Sequence, residues 1–294
     1  MKTIPAKSIL QKNKSGAWFG NDYNMNLYKG CCHGCIYCDS RSGCYNIDNF
    51  DEVRAKENAL EILRDELKRR TPGIIGTGSM SDPYNPFEKT EQLSRRAAEL
   101  IRGSGFGLTV VTKSPLITRD IDIFGEIAAE QPLLLKMTLT TADDRLCRLL
   151  EPNVASTSER FAALEKLASA GLFTGITLMP ILPFINDTAE NIRSIVRRAG
   201  ECGVRTIFPF FGLTLRDGQR EYFYSRLSRI FPEKPLAKMY SERFGGSYEC
   251  VSPRMNELWE IFREECHAAG ILYRMDEIVS AYMAGHLSEQ TRFF

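Results

Sequence analysis

The segment Gly30-Cys31-Cys32-His33-Gly34-Cys35-Ile36-Tyr37-Cys38 places four of the chain's nine cysteines within eight residues. Cys31, Cys35 and Cys38 stand at C-x3-C-x2-C spacing. Three thiolates converging from one tight loop can hold three irons of a [4Fe-4S] cube, which leaves the fourth iron open to a ligand from outside the chain. The loop alone is therefore half of a site.

With an aromatic residue, Tyr37, just before its last cysteine, this loop resembles that of the radical S-adenosylmethionine (SAM) enzymes. The resemblance implies that Cys31, Cys35 and Cys38 are the metal ligands of a [4Fe-4S] cluster. It implies that the open iron chelates the amino and carboxylate groups of SAM, and that one electron cleaves the sulfonium to a 5′-deoxyadenosyl radical able to abstract hydrogen from a substrate. The cofactors carry the hard chemistry and the chain positions them. An electron donor such as flavodoxin or ferredoxin is implied as a partner.

Other readings of the cysteines were weighed against this one. Cys32 opens a second register, Cys32-x2-Cys35-x2-Cys38, but a ferredoxin run would continue with cysteine at 42 and proline at 43, where the chain has Ser42 and Gly43. A structural zinc site pairs two short couples across a longer loop, and no second C-x2-C or H-x3-H couple follows. Haem attachment requires histidine after C-x2-C, and Asp39 stands there. His33, between the first two thiolates, reads as a polar, exposed filler or as an extra ligand. Cys147, Cys202, Cys250 and Cys266 have the surroundings of small buried hydrophobes, and only Cys250 is kept as a reactive candidate. A disulfide scaffold is not expected from so uneven a set in so long a chain.

The 294 residues, 43% hydrophobic and 26% charged, suffice for one barrel-sized α/β core with an appendage. The N-terminal Met1-Lys-Thr-Ile-Pro-Ala-Lys lacks the apolar run of a signal peptide, and the run from Ile176 to Ile185 is broken by Pro180 and Pro183. A cytoplasmic protein with no membrane partner is expected. A net charge of +1 makes no global case for a polyanionic partner.

Outward from the loop, apolar runs alternate with helical patterns, the signature of a parallel sheet with crossover helices. The expected strands are Asn24 to Lys29, Gly73 to Ser79, Leu108 to Lys113, Leu133 to Thr140, Phe173 to Ile181 and Thr206 to Leu213. The expected helices cover 51 to 70, 89 to 103, 117 to 130, 157 to 170 and 187 to 201. The fold class predicted is α/β, a partial (β/α)6 TIM-type barrel, as the family resemblance also implies. Residues 1–23 form an N-terminal extension, 24–213 the barrel, and 214–294 a helical, aromatic-rich C-terminal extension that covers it.

Reacting groups in α/β barrels sit on the loops after the strands, so strand ends rank the remaining motifs. The second strand runs into Gly76-Thr77-Gly78-Ser79-Met80-Ser81-Asp82-Pro83-Tyr84, whose glycines and proline hold the backbone open beside the cysteine loop. Lys113 ends the third strand, where it could meet the SAM carboxylate. Thr138 and Thr140 share one face of the fourth and could line the interior. Glu151 and Arg160 could bind a carboxylate or form a purely structural ion pair. Tyr37, Ser79, Ser81, Lys113, Thr138 and Arg160 are thus the candidate SAM-binding residues.

Taken together, Asn24-Met-Asn26-Leu-Tyr28-Lys-Gly30-Cys31, Ser81-Asp82-Pro83-Tyr84, Thr112-Lys113-Ser114, Arg119-Asp120, Glu151-Pro152 and Pro180-x-x-Pro183-x-x-Asn186-Asp187 resemble the spore photoproduct lyase-like branch, also called DNA repair photolyase-like. In that branch Ser81 and Lys113 would contact SAM, with Tyr37 near its adenine. One position departs. The branch's hydrogen-donating cysteine stands two residues before the serine that Ser81 resembles, and this chain has Ser79. A hydroxyl O–H bond is too strong to quench a carbon radical, so Cys44, Tyr84, Tyr28 and Cys250 become the remaining hydrogen-donor candidates.

Between Arg205 and Arg243 eight Lys/Arg face four Asp/Glu among many aromatics, a mix that could track a phosphate backbone and stack bases or simply pack an amphipathic layer on the barrel. Nucleic acid is therefore one substrate class. A radical SAM enzyme modifying peptides, proteins or small metabolites is the second reading, and a non-catalytic Fe–S or zinc-binding sensor or electron carrier the third.

Overall fold

The computed structural model describes residues 1–16 and 18–286. Six strands, β1 (Tyr23–Met25), β2 (Ile74–Thr77), β3 (Gly107–Thr112), β4 (Leu133–Thr138), β5 (Thr174–Leu178) and β6 (Thr206–Pro209), lie side by side in chain order, each parallel to the next. A short strand, Leu10–Lys12, pairs antiparallel with the free edge of β1. Crossover helices α1 (Ala59–Arg69), α2 (Leu93–Ile101), α3 (Ile121–Glu130), α4 (Thr157–Ser169) and α5 (Ala189–Glu201) follow the first five strands, and α6 (Met255–Ala269) lies along α5. This is an α/β fold, six parallel strands in chain order with crossover helices, as the alternation of runs predicts.

Strand alternation explains the two layers. Leu133, Leu135 and Met137 of β4 pack outward into helix-covered cores with residues such as Phe124, Ile127 and Phe161. Each such buried side chain contributes about 1.5–3 kcal/mol. Leu134, Lys136 and Thr138 point the other way, into the barrel. Helix starts are fixed by side chains: Ser156 and Glu159 form a reciprocal capping box on α4, and Thr188 Oγ1 accepts from Asn191 N at α5. Such a cap is worth about 1 kcal/mol.

Several boundaries differ from the sequence reading. The run from Asn24 to Lys29 divides after Met25, and Tyr28–Lys29 joins a separate three-stranded sheet with Arg54–Lys56 and Lys2–Ile4. The first helix accordingly starts at Ala59: residues 54–56 are extended, and Asn58 takes a left-handed conformation that no helix can continue through. The run from Thr206 to Leu213 breaks after Pro209, and Gly212–Thr214 pairs with Glu249–Val251.

The region after residue 214 does two jobs. Helices Gln219–Ile230 and Leu236–Phe244 bury Phe223 and Tyr240 against the cysteine loop's own apolar residues, Ile36 and Tyr37. Helix Met275–Met283 closes the amino end of the barrel, where Ile278 and Tyr282 pack on Phe19 and Leu134, and Tyr282 Oη donates to Phe19 O at 2.7 Å. No helix among the described residues is long and apolar enough to cross a membrane.

Candidate functional site

The cysteine loop follows β1 at the carboxyl end of the sheet, and distant segments set its shape. Cys31 N donates to Phe50 O (2.8 Å), Ile36 N to Leu150 O (3.0 Å) and Asn153 N to His33 O (3.2 Å). Asn153 Nδ2 also reaches Cys32 O at 3.0 Å. Gly30 enters at φ 82°, where a Cβ would lie 2.3 Å from Glu52 O. Ser81 Oγ donates to Gly30 O at 2.6 Å. The C-terminal region grips the far end: Gln219 Nε2 donates to Tyr37 O (3.2 Å), and Asp39 accepts from Tyr45 Oη (2.7 Å), Arg216 Nε (3.2 Å) and Thr214 Oγ1 (3.3 Å).

Behind the loop lies a buried ionic cluster. Glu151 and Arg160 are both fully buried and meet at 2.5 Å, while the Tyr37 hydroxyl donates to the other Glu151 oxygen. Arg160 also donates to Ala155 O and Thr138 O, each at 2.9 Å, tying α4 to the end of β4. Burial alone would push the Glu151 carboxyl up, but Arg160, Lys113 and the Tyr37 hydroxyl bring it below its ordinary range. Arg160, expected among the SAM-binding residues, directs its N–H groups to Glu151 and to the carbonyls of Ala155 and Thr138.

Cys35 is buried, Cys31 and Cys38 are half-buried, and all nine cysteines are free. Burial pushes the Cys31 thiol up to about 12, although backbone N–H groups of His33 and Asp82 bond to it, and burial takes Cys35 well above the usual thiol range. Thiols held neutral in this way become ligands when a metal displaces their protons. Among the described residues no three His, Cys, Asp or Glu side chains are grouped to hold a single ion. Three thiols on one short loop are the donor set of a cube that leaves one iron open, whereas a structural zinc site takes four protein donors.

Asp82 fixes the loop after β2 to the end of β3, accepting from Thr112 Oγ1 (2.6 Å), Lys113 N (2.8 Å) and Tyr84 N (2.8 Å). His33 is not the exposed filler expected: it is 4% exposed, with Nδ1 3.5 Å from Asp82 Oδ2. Lys113 Nζ stands 5.9 Å from the Tyr37 ring centre and has no hydrogen bond or ion pair among the described residues. Burial would lower it, but the Cys35 sulfur, when deprotonated, and the Glu151 carboxylate raise it above its ordinary range. A cleft of about 520 Å³ opens beside the loop, lined by His33, Lys89, Lys113, Arg119, Asn153 and Lys166 among others.

Of the other expected site residues, Thr138 Oγ1 pairs with Thr177 Oγ1 at 2.8 Å, Ser79 is exposed past the end of β2, and Ser81 faces the loop backbone. The hydrogen-donor candidates do not converge. Tyr84 Oη donates to Asp120 (2.9 Å), Tyr28 Oη donates to Glu88, Cys250 is buried in the small sheet with Sγ 3.7 Å from Ser247 O, and Cys44 is exposed in a turn. Among the aromatics of the basic stretch, Phe223 and Tyr240 are fully buried. Sequence reasoning missed Asn153, Gln219 and Asp39, whose only signal was proximity to other motifs. It also passed over Lys136, a charge inside an apolar strand.

Comparison with known proteins agrees with this arrangement. A protein of Mycobacterium tuberculosis (strain H37Rv) is 30% identical over 249 residues, 82% of this chain and 72% of its own length. A Pseudomonas phage M6 protein described as a radical SAM Nalpha-GlyT isomerase is 22% identical over 250 residues, 83% of this chain and 51% of its own. The solved structure of spore photoproduct lyase complexed with dinucleoside spore photoproduct superposes with a TM-score of 0.66 at 16% identity, covering 91% of this chain and 79% of that one, a likeness of fold. The model of the radical SAM superfamily matches residues 25–199, from the first barrel strand through the fifth crossover helix and thus over more than half of the sequence. On that match and that fold, the chain belongs to the radical SAM superfamily.

Proposed function

We propose that Cys31, Cys35 and Cys38 hold a [4Fe-4S] cluster, and that the chain is an enzyme that acts on a substrate entering at the carboxyl ends of the strands. When bound, the cluster and SAM supply a 5′-deoxyadenosyl radical that abstracts hydrogen. The chain's own residues do the placing. Lys113, a cation beside Tyr37 and Cys35 with no ion pair among the described residues, is set to receive the SAM carboxylate. Gly30, Ser81 and Asn153 hold the cysteine loop open, and the Glu151–Arg160–Tyr37 cluster braces it. The observation that carries this reading is the cysteine loop seated at the strand ends with Lys113 unpaired next to it.

Anaerobic reconstitution should load about four irons per chain, and dithionite with SAM should then yield 5′-deoxyadenosine. Equal yields from wild type and Cys35→Ala would overturn the reading. A nucleic-acid substrate is supported by the lysine- and arginine-lined cleft beside the loop, and the structural neighbour's dinucleoside ligand is of the same class. Binding to single-stranded DNA should then weaken steeply as salt rises; salt-insensitive binding would favour a peptide or small metabolite. Repair through a thiol donor at position 79 is not part of the proposal, because Ser79 stands there.

A further inference from the structure

Lys136 sits at the centre of β4, 2% exposed, on the strand face that looks into the barrel. Its neighbours in register are Val111 on β3 and Gly175 on β5, neither of which offers a polar side-chain atom. Gly175 leaves the room that the lysine stem occupies: a Cβ there would lie 3.4 Å from Lys136 Cγ and 2.4 Å from Thr206 Oγ1. Nζ stands 4.2 Å from the centre of the Phe19 ring, which closes the barrel floor. No carboxylate among the described residues pairs with it.

A second unpartnered group lies on the same inward face. The β4–β5 ladder continues past Thr138 through Leu139 N to Thr177 O (3.1 Å), so Thr140 points inward as Thr138 does. Thr140 Oγ1 is buried and has no hydrogen-bond partner among the described residues. The stripe Lys136–Thr138–Thr140 therefore runs from the barrel floor to the strand mouth with an unneutralised amine at one end and a spare hydroxyl at the other.

A ring face attracts a cation but does not replace the hydration that a buried ammonium gives up. Burial without an acid pushes the amine down to about 7. Buried charges in proteins are paired, and this one has no acidic partner among the described residues. We infer that the barrel lumen is a binding site for an anionic oxygen group of the substrate, a carboxylate or a phosphate, and that Lys136 receives it. The inference rests on the proposed function only in taking the lumen as the place where substrate enters. Lys113, nearer the loop, is left for SAM, so the two cations serve two different anions.

The test uses the full chain, reconstituted anaerobically at pH 7, with acetate and inorganic phosphate as probes and chloride at matched ionic strength as the control. One or both probes should raise the thermal midpoint of wild type by about 2 °C or more over chloride, and the rise should vanish in Lys136→Met. A rise with acetate alone assigns a carboxylate, and a rise with phosphate alone assigns a phosphate. No rise in wild type with either probe, or an equal rise in the variant, overturns the inference. Should Lys136→Met not fold, NMR of protein labelled at the lysine ε-carbons replaces it: the Lys136 signal, identified by its loss in Lys136→Arg, should titrate at higher pH when the probe is present. An unmoved titration overturns the inference equally. SAM cleavage by wild type in the same preparation separates the two ideas, since its absence counts against the proposed function and not against the anion site.

Discussion

Replacing Lys136 by methionine should stabilise the free protein, most strongly at neutral pH and below. The drop from an ordinary 10.5 to about 7 is caused by burial alone. At 1.36 kcal/mol for each factor of ten in proton affinity, it corresponds to a cost of about 5 kcal/mol when the medium is acidic enough to protonate the unfolded chain fully. An amine whose folded pKa is depressed binds fewer protons in the native state than in the unfolded one. Folding stability therefore rises with pH through the interval from about 7 to 10.5, and is lowest below it. Between pH 7 and pH 9 this single group should add about 2 kcal/mol to wild-type stability. Methionine keeps the length of the side chain and its contact with the Phe19 ring while discarding the charge.

The assay is guanidinium unfolding of wild type and Lys136→Met at pH 7, 8 and 9, without acetate or phosphate. The variant should be more stable at pH 7 by roughly 2–4 kcal/mol, below the full burial cost because the cation–π contact and relaxation offset part of it. The gap should close by about 2 kcal/mol at pH 9. The difference between the two curves matters, since other groups titrate in both proteins alike. A variant less stable than wild type at pH 7, or a gap that does not change with pH, would refute the reasoning, because either result means that the amine already has an anionic partner inside the chain.

Glu151→Gln leaves Arg160 buried without its carboxylate and should cost about 3–5 kcal/mol; retention of wild-type stability and iron content would show that the cluster does not brace the loop. Lys113→Met should keep the iron and its visible spectrum while weakening SAM binding by at least about tenfold, the loss of one charge-assisted contact, as read by equilibrium dialysis; unchanged affinity would remove Lys113 from the SAM site. Gly30→Ala must accept a left-handed φ and a clash with Glu52 O, so a loss of at least about 2 kcal/mol and failure to load iron are expected. Normal iron loading by that variant would show that the loop tolerates another entry path.

The strands were legible as short apolar runs, as buried parallel strands are. The helices were legible from the helical patterns that alternate with those runs. Boundaries were less so, because partners lie far away in sequence: Tyr28–Lys29 leaves the barrel sheet only because Arg54–Lys56 is there to pair with it. The cysteine spacing is a local property, and it named the chemistry. Burial is not local. Arg160 and Lys136 look like any other basic residues in the chain, yet one is neutralised by Glu151 and the other by nothing among the described residues. No pattern of neighbours in sequence distinguishes a cation that braces from a cation that waits for a ligand.

The same contrast explains why the loop alone could not define the reaction. Residues 31 to 38 supply the thiolates, but their arrangement is set by Leu150, Asn153 and Gln219, more than a hundred positions away. The inward stripe of β4 lies on a different element from the loop. A barrel separates these duties by construction, since loop residues at the strand ends can change without disturbing the outward-facing core. Under the proposed function, radical initiation stays with the loop while the lumen varies with the substrate. The loop after β2 carries Ser79, exposed past the strand end, and the lumen carries Lys136, with which no acid among the described residues pairs. On that proposal, specificity is to be sought in the stripe from Lys136 to Thr140 rather than in the cysteines.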